Sequence, residues 1–431
     1  MSKTHQYFKK MMGPIKLFSI FFLILLNKTV FSESVYLEAK QYLDVETGKL
    51  IAPANILIVD GIIKSINPSQ IPDKVTLIQK PTLTILPGLM DSHVHLPNDI
   101  TPEIALVFIQ EDDAMITLRG AKNAKTLLMA GFTTVRNLGQ NNGENFVDVA
   151  LSKASENGWI VAPHIVPCGH PLSITGGHLD PDMNAGYAPN VLPVNYRIGV
   201  ADGVDEVIKA VRYQIKYGAK VIKIAASSGV LSNEEGAGDQ QYSDEELKAI
   251  VAEASRHGIP VAAHAHGTSA IKAGVRSIEH GSLLNDESIR LMKKYGTYLV
   301  PTTYVADSLN LKNLTPVVRK KAEYILPLAK RNLEKAIQAN VKIAFGTDSG
   351  VYPHGENAKE FAALVRHGMT PLNAIRAATL NAADLLNMRD RGQIKIGYYG
   401  DLIGVEENPL MNIRTLENVI LVMKDGKVVK E

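Results

Sequence analysis

Residues 261–281 read VAAHAHGTSAIKAGVRSIEHG. A short apolar run over 261–263 stops at His264, and a second one stops at His280. Sixteen residues separate the two histidines. That is one short strand–helix unit, so both sit at equivalent ends of neighbouring parallel strands. The same alternation extends in both directions. Strand candidates rich in Val, Ile and Thr lie at 84–93, 132–138, 163–168, 221–226, 259–264, 275–280, 298–303 and 342–348. Segments of helical period lie between most of them, for example 116–130, 203–217 and 327–339. Ser243 with Glu246 is a capping box, and Thr370-Pro371 opens a helix over 371–385. Eight alternations over about 300 residues predict an α/β fold with a (β/α)8 TIM barrel rather than an open, doubly wound sheet.

The two ends of the chain read differently. ANILIVDGIIKSI (54–66) and VILVMKDGKVV (419–429) each place Asp-Gly between two apolar runs. That dipeptide is the mark of a two-residue hairpin. The expected organisation is a barrel over 84–390, with a small β-sandwich domain built from 35–83 and 391–431.

Composition narrows the function. The 431 residues carry 46 Lys and Arg against 44 Asp and Glu, a net charge of +2. There is no basic block, which argues against nucleic acid as a partner. One cysteine excludes an intrachain disulfide and a thiolate cluster, while twelve histidines remain as ligands or bases. Lys3, Lys9, Lys10 and Lys16 precede the apolar run LFSIFFLILL (17–26), and Val30 and Ser32 follow. This reads as a secretory signal peptide over 1–32, cleaved after Ser32, with no stable membrane insertion afterwards. The protein is therefore expected to be secreted or periplasmic.

In a barrel, chemistry sits at the C-terminal ends of the strands. The first strand candidate ends in His93-Val94-His95, and residues two apart on a strand share a face. The fourth carries Lys223 in VIKIAA, where an apolar strand makes a cation costly to bury. The fifth ends in His264, the sixth in His280, and the eighth in Asp348 of FGTDSG. Taken singly, each is more often a core or surface residue. Five strand ends supplying them together point to a metal centre. Around it, His178 and Tyr304 are candidates for contact with the substrate carbonyl or carboxylate. His266 and His354 are further substrate-side candidates, each with a plain backbone-ordering role as the alternative. Cys168 reads as a small apolar core residue, and Arg136 as a buried partner of a carboxylate.

These residues lie in ILPGLMDSHVHL (85–96), GFTTVRNLG (131–139), ITGGHLD (174–180), VIKIAASSGV (221–230), the stretch 261–281, VPTTY (300–304), FGTDSG (345–350) and NPL (408–410). In order and spacing this set resembles the imidazolonepropionase-like branch of the amidohydrolase superfamily. Within that branch it is similar to the binuclear Xaa-Pro dipeptidases (prolidases), related carboxypeptidases and ochratoxin-type amidases. The resemblance implies two zinc ions. His93, His95 and Asp348 would hold the first, His264 and His280 the second, and a carbon dioxide-derived carbamate on Lys223 would bridge them. It also implies a metal-bridged hydroxide as nucleophile and Asp348 as proton shuttle. The expected substrate is a small molecule, a dipeptide or an N-acyl amino acid, and assembly into a homo-oligomer accords with the family. Asn137 and Lys220 stand where the family often has aspartate. The alternative is a mononuclear cyclic-amide hydrolase of the imidazolonepropionase type. Such an enzyme does not need Lys223, so that residue and the expected export both count against it. A barrel that binds without catalysis is disfavoured by the complete set of ligand positions.

Overall fold

The computed structural model describes residues 34–431 except 100–103, 140–144, 183–186, 189, 190, 193, 233 and 235. The expected signal over 1–32 lies outside the described residues.

Both ends of the chain meet in one mixed eight-stranded sheet. The N-terminal part supplies β1 (Ser34–Asp44), β2 (Lys49–Ile51), β3 (Ala54–Val59), β4 (Ile62–Ile66) and β5 (Thr76–Pro87). Asp60 and Gly61 link β3 to β4 with φ of 51° and 79°, the left-handed pair that a tight hairpin needs. Along β3, Ala54, Ile56 and Ile58 are buried while the residues between them are half-exposed, the period of two expected of a one-sided strand. They form a core with Leu37, Ile85 and Leu402.

The chain crosses out of this sheet at Gly88. The stretch 84–93, read as one strand, is two: 84–87 belong to β5, and β6 (Leu89–Val94) begins a parallel layer. Gly88 is required there because a Cβ would overlap Thr133. Beside β6 run β7 (Phe132–Asn137) and β8 (His164–Val166). A second parallel sheet holds β9 (Ile222–Ala225), β10 (Val261–Ala265), β11 (Ser277–His280) and β12 (Tyr298–Val300). Two connections join the sheets into a circuit. Leu172 N–H donates to Lys223 O and Ala225 N–H to Leu172 O, both at 2.8 Å. On the other side, Leu299 donates to Lys342 O at 2.8 Å and Ser92 to Phe345 O at 2.8 Å. The segment 342–348 thus fills the eighth place by single bridges instead of a regular strand. Residues of β6, β7, β9 and β10 are buried throughout, as in parallel strands covered on both faces.

The C-terminal strands β13 (Leu402–Val405), β14 (Leu421–Lys424) and β15 (Lys427–Lys430) return to the first sheet, β13 pairing antiparallel with β5. Asp425-Gly426 turns β14 into β15 with φ of 50° and 73°. Gly400 N–H bonds to Gly61 O, and Gly426 N–H to Gly400 O, drawing the two hairpin turns together.

Helices follow their sequence signals, with two corrections. Ser243 accepts from Glu246 N–H while the Glu246 carboxylate accepts from Ser243 N–H, as the capping box requires. The helix expected over 327–339 runs instead from Pro316 to Gln338, capped by Thr315, with Pro327 inside it. Pro316 occupies the first helical turn, where its missing N–H costs nothing. The helix opened by Thr370-Pro371 is interrupted by a π-turn over Ala377–Asn381. Among the described residues no helix is long and apolar enough to cross a membrane.

Candidate metal centre and cavity

His93 and His95 leave the end of β6 toward one point, and Asp348 reaches it from across the circuit. Asp348 Oδ1 lies 3.3 Å from His93 Nε2 and 3.0 Å from His95 Nε2. The other nitrogen of each ring is already engaged. His93 Nδ1 faces Glu279 Oε2 at 2.9 Å, and His95 Nδ1 faces the Gly139 carbonyl at 3.3 Å. Both Nδ1 atoms therefore donate, and both Nε2 atoms present lone pairs. Two lone pairs and a carboxylate oxygen converge within 4.8 Å, in a place where only a cation satisfies all three. Burial pushes the His95 pKa down against the pull of Asp348, so the imidazole is kept neutral.

β10 and β11 bring the second pair. The rings of His264 and His280 are 4.6 Å apart, and His280 lies 5.1 Å from His93. His264 Nε2 is buried with no hydrogen-bond partner. His280 Nδ1 meets Thr302 Oγ1 at 2.7 Å. Burial, above all, drives both imidazoles well below the usual histidine pKa, as neutral ligands require. Three non-glycine residues here are left-handed: His280 at φ 67°, Thr302 at 50° and Asp348 at 62°. Such backbone is costly, above all for β-branched threonine, and clusters where geometry serves function. Lys223 lies buried on β9, and burial lowers its pKa against the pull of Glu279 and Asp348.

Several supporting residues were not singled out from the sequence. Glu279 precedes His280, and strand alternation would point the two to opposite faces. The left-handed turn at His280 breaks that alternation, so both residues approach His93. Glu279 also pairs with Arg136 at 2.9 Å, which is the carboxylate expected to partner that arginine. Burial raises its pKa, but Arg136 and His93 outweigh burial and hold it at about 2. Asp91 accepts from Thr347 Oγ1 and Asn357 Nδ2, tying β6 to the Asp348 segment. The DSH run of 91–93 is the only sequence signal for it. Asn137 donates to buried Asp148 at 3.3 Å. An aspartate there would set two carboxylates against each other.

Of the substrate-side candidates, His178 and His266 line the same cavity as the centre. The His178 ring lies 4.1 Å from that of His264, tilted by 37°. Its Nδ1 is 2.9 Å from Ser232 Oγ and 3.5 Å from Glu234. Burial opposes ionisation of Glu234, but His178 and the hydrogen bonds from Ser232 and Gly229 hold its pKa at about 2. His266 Nδ1 accepts from Ser282 N–H, and burial lowers its pKa to about 4.

Tyr304 and His354 depart from expectation. The turn at Thr302 directs the N–H groups of Thr303 and Tyr304 onto Glu360, while the Tyr304 hydroxyl donates to Glu356. Its ring packs on Tyr352 and is not among the cavity-lining residues. His354 is buried between Ser349 Oγ and the Asn98 carbonyl, where it orders backbone. Cys168 packs with Leu138, Val166, Val221 and Ala262 as a small apolar residue.

The cavity above the centre holds about 930 Å³. Its inner end is formed by His93, His95, Lys223, His264, His280 and Asp348, which gathers all six expected ligand positions in one chamber.

The sequence profile of the Amidohydrolase family matches residues 84–429. The chain belongs to the amidohydrolase family. It is thus a hydrolase acting on carbon–nitrogen bonds. It is 37% identical to ochratoxinase of Aspergillus niger over 418 residues, covering 89% of this chain and 84% of that protein. Among solved structures, an Xaa-Pro dipeptidase with methionine bound in its active site superposes with a TM-score of 0.87 at 37% identity, covering 93% of this chain and 100% of that one. A prolidase complexed with N-methylphosphonate-L-proline gives 0.82 at 31% identity, covering 92% and 100%. The amidohydrolase superfamily is generally metal-dependent, and the converging acceptors around His93 fit that requirement.

Proposed function

We propose that this amidohydrolase is an exported, metal-dependent amidase. It releases a C-terminal amino acid from dipeptides or N-acyl amino acids, in the manner of an Xaa-Pro dipeptidase or a carboxypeptidase. The parallel circuit is read as a (β/α)8 barrel, and the sheet from both ends as its β-sandwich partner. The observation that carries the reading is the convergence of the His93, His95 and Asp348 acceptors with buried Lys223 beside them. His93, His95 and Asp348 would hold one zinc ion, His264 and His280 a second, and Lys223 would bridge as a carbamate. A neutral, buried amine could add carbon dioxide and release one proton, giving an anionic carbamate that would suit bound cations where a lysine cation would be costly to bury. Zinc bound there supplies carbonyl polarisation and an acidified water.

The chain's own groups do the rest. Asp348 receives the proton of the attacking water and passes it to the leaving nitrogen. His178, held by Ser232 and anionic Glu234, donates to the carbonyl oxygen. The buried imidazoles keep their lone pairs at neutral pH because their pKa values are depressed. The similarity to a dipeptidase, a prolidase and ochratoxinase supports an amide next to a free carboxylate. Lys223 disfavours the mononuclear, cyclic-amide alternative.

The test is release of amino acids from a panel of dipeptides and N-acyl amino acids by zinc-loaded protein, with a chelator-treated control. Chelator-sensitive release supports the reading. Chelator-insensitive release, or cleavage of cyclic amides alone, overturns it.

A further inference from the structure

The helix Pro316–Gln338 turns one apolar face to the cavity: Val318, Ile325, Leu326, Ala329 and Leu333. These positions fall on one side of a 3.6-residue period. From Val318 to Leu333 the face extends about 22 Å at 1.5 Å per residue. A fully extended dipeptide spans at most about 7 Å. Of the charged groups at the outer rim, Arg366 pairs with Asp307 and His367 lies 3.4 Å from Glu334, while Lys330 sits exposed at the edge of the face. The wall therefore offers no buried counter-charge to a carboxylate or an ammonium group.

We infer that this outer half is a subsite for a large, uncharged acyl group, so that the preferred substrate is an N-acylated amino acid with a long or aromatic acyl chain rather than a free dipeptide. The inference rests on the amidase reading above. A free dipeptide would place its ammonium group against the apolar wall, where desolvation opposes it. An acyl chain would bury its methylenes there instead.

The test uses the N-acetyl, N-butanoyl, N-hexanoyl, N-octanoyl and N-decanoyl amides of alanine, each with a free carboxyl group, and Leu-Ala as the free dipeptide. The inference predicts that kcat/KM rises about fourfold per added methylene until the wall is covered. Leu-Ala falls below the hexanoyl compound, its uncharged near-isostere. Ala329→Asp lowers the decanoyl-to-acetyl ratio at least tenfold. Leu314→Ser, at a residue that lines the same cavity just ahead of the helix, gives a second reading if the helix variant does not fold. Turnover that is flat or falls with chain length, with alanine still released, overturns the inference and leaves the amidase reading standing. No alanine from any member overturns both.

Discussion

Glu279 holds His93 by a 2.9 Å hydrogen bond to Nδ1, and its other oxygen meets Arg136 at the same distance. One carboxylate thereby fixes a ligand tautomer and neutralises a buried guanidinium. Glu279→Gln keeps the shape and removes the charge, which leaves Arg136 an uncompensated buried cation. The expected cost is about 3–5 kcal/mol of stability, read by denaturant unfolding, and about 10–100-fold in metal affinity, read by competition with a chelating dye. The folded pKa of about 2 lies below the unfolded carboxyl value. The stabilisation is therefore present above that unfolded value and is lost as pH falls toward 2. The variant should lack this part of the acid limb.

Gly229 lies directly under the His178 ring, and a Cβ there would overlap it. Gly229→Ala is expected to displace His178 and lower kcat about 100-fold, since misplacement by about an ångström costs that much. Metal content should be unchanged. Steady-state kinetics with metal analysis on the same sample checks both.

Lys321 reaches from the long helix to donate to the carbonyls of Gly229, Ser232 and Glu234 at 2.9, 2.7 and 2.9 Å. It uses all three ammonium hydrogens on the loop that orients His178. Lys321→Met leaves those carbonyls without a donor, at about 1–3 kcal/mol for a buried group left unsatisfied. The melting temperature should fall, and kcat should fall more than KM rises.

Glu360 is fully buried, and burial raises its pKa to about 8 despite the N–H groups of Thr303 and Tyr304. The folded protein keeps this proton to higher pH than the unfolded chain does. Its contribution to stability is thus complete below the unfolded pKa and is lost as pH rises toward 8. Glu360→Gln mimics the protonated form and should gain on the wild type over that range. Melting temperatures between pH 5 and 8 measure it, at about 2–4 °C per kcal/mol. A difference independent of pH would contradict the assignment.

The sequence is informative where a residue's place follows from period and spacing. His93, His95, Lys223, His264, His280 and Asp348 come together because each closes or lies within a short apolar run. The Asp-Gly hairpins were legible for the same reason, since the dipeptide itself carries the left-handed pair. Tyr304 and His354 were misplaced because a left-handed turn at Thr302 and the packing of the 349–357 loop decide where they point. Neither leaves a periodic trace. Glu279 was hidden by strand alternation, and Lys321 acts on backbone carbonyls that any sequence would supply. The helical period over 327–339 caught only the second half of the long helix, which Thr315 and Pro316 open and in which Pro327 lies inside.

The most direct test of the account is a zinc titration of metal-depleted enzyme, following amide hydrolysis and bound metal together. The account predicts activity that vanishes on depletion and returns in full at two equivalents per chain, with Lys223→Ala failing to retain the pair. Full activity in the depleted enzyme, or saturation at one equivalent with Lys223→Ala unaffected, would contradict it.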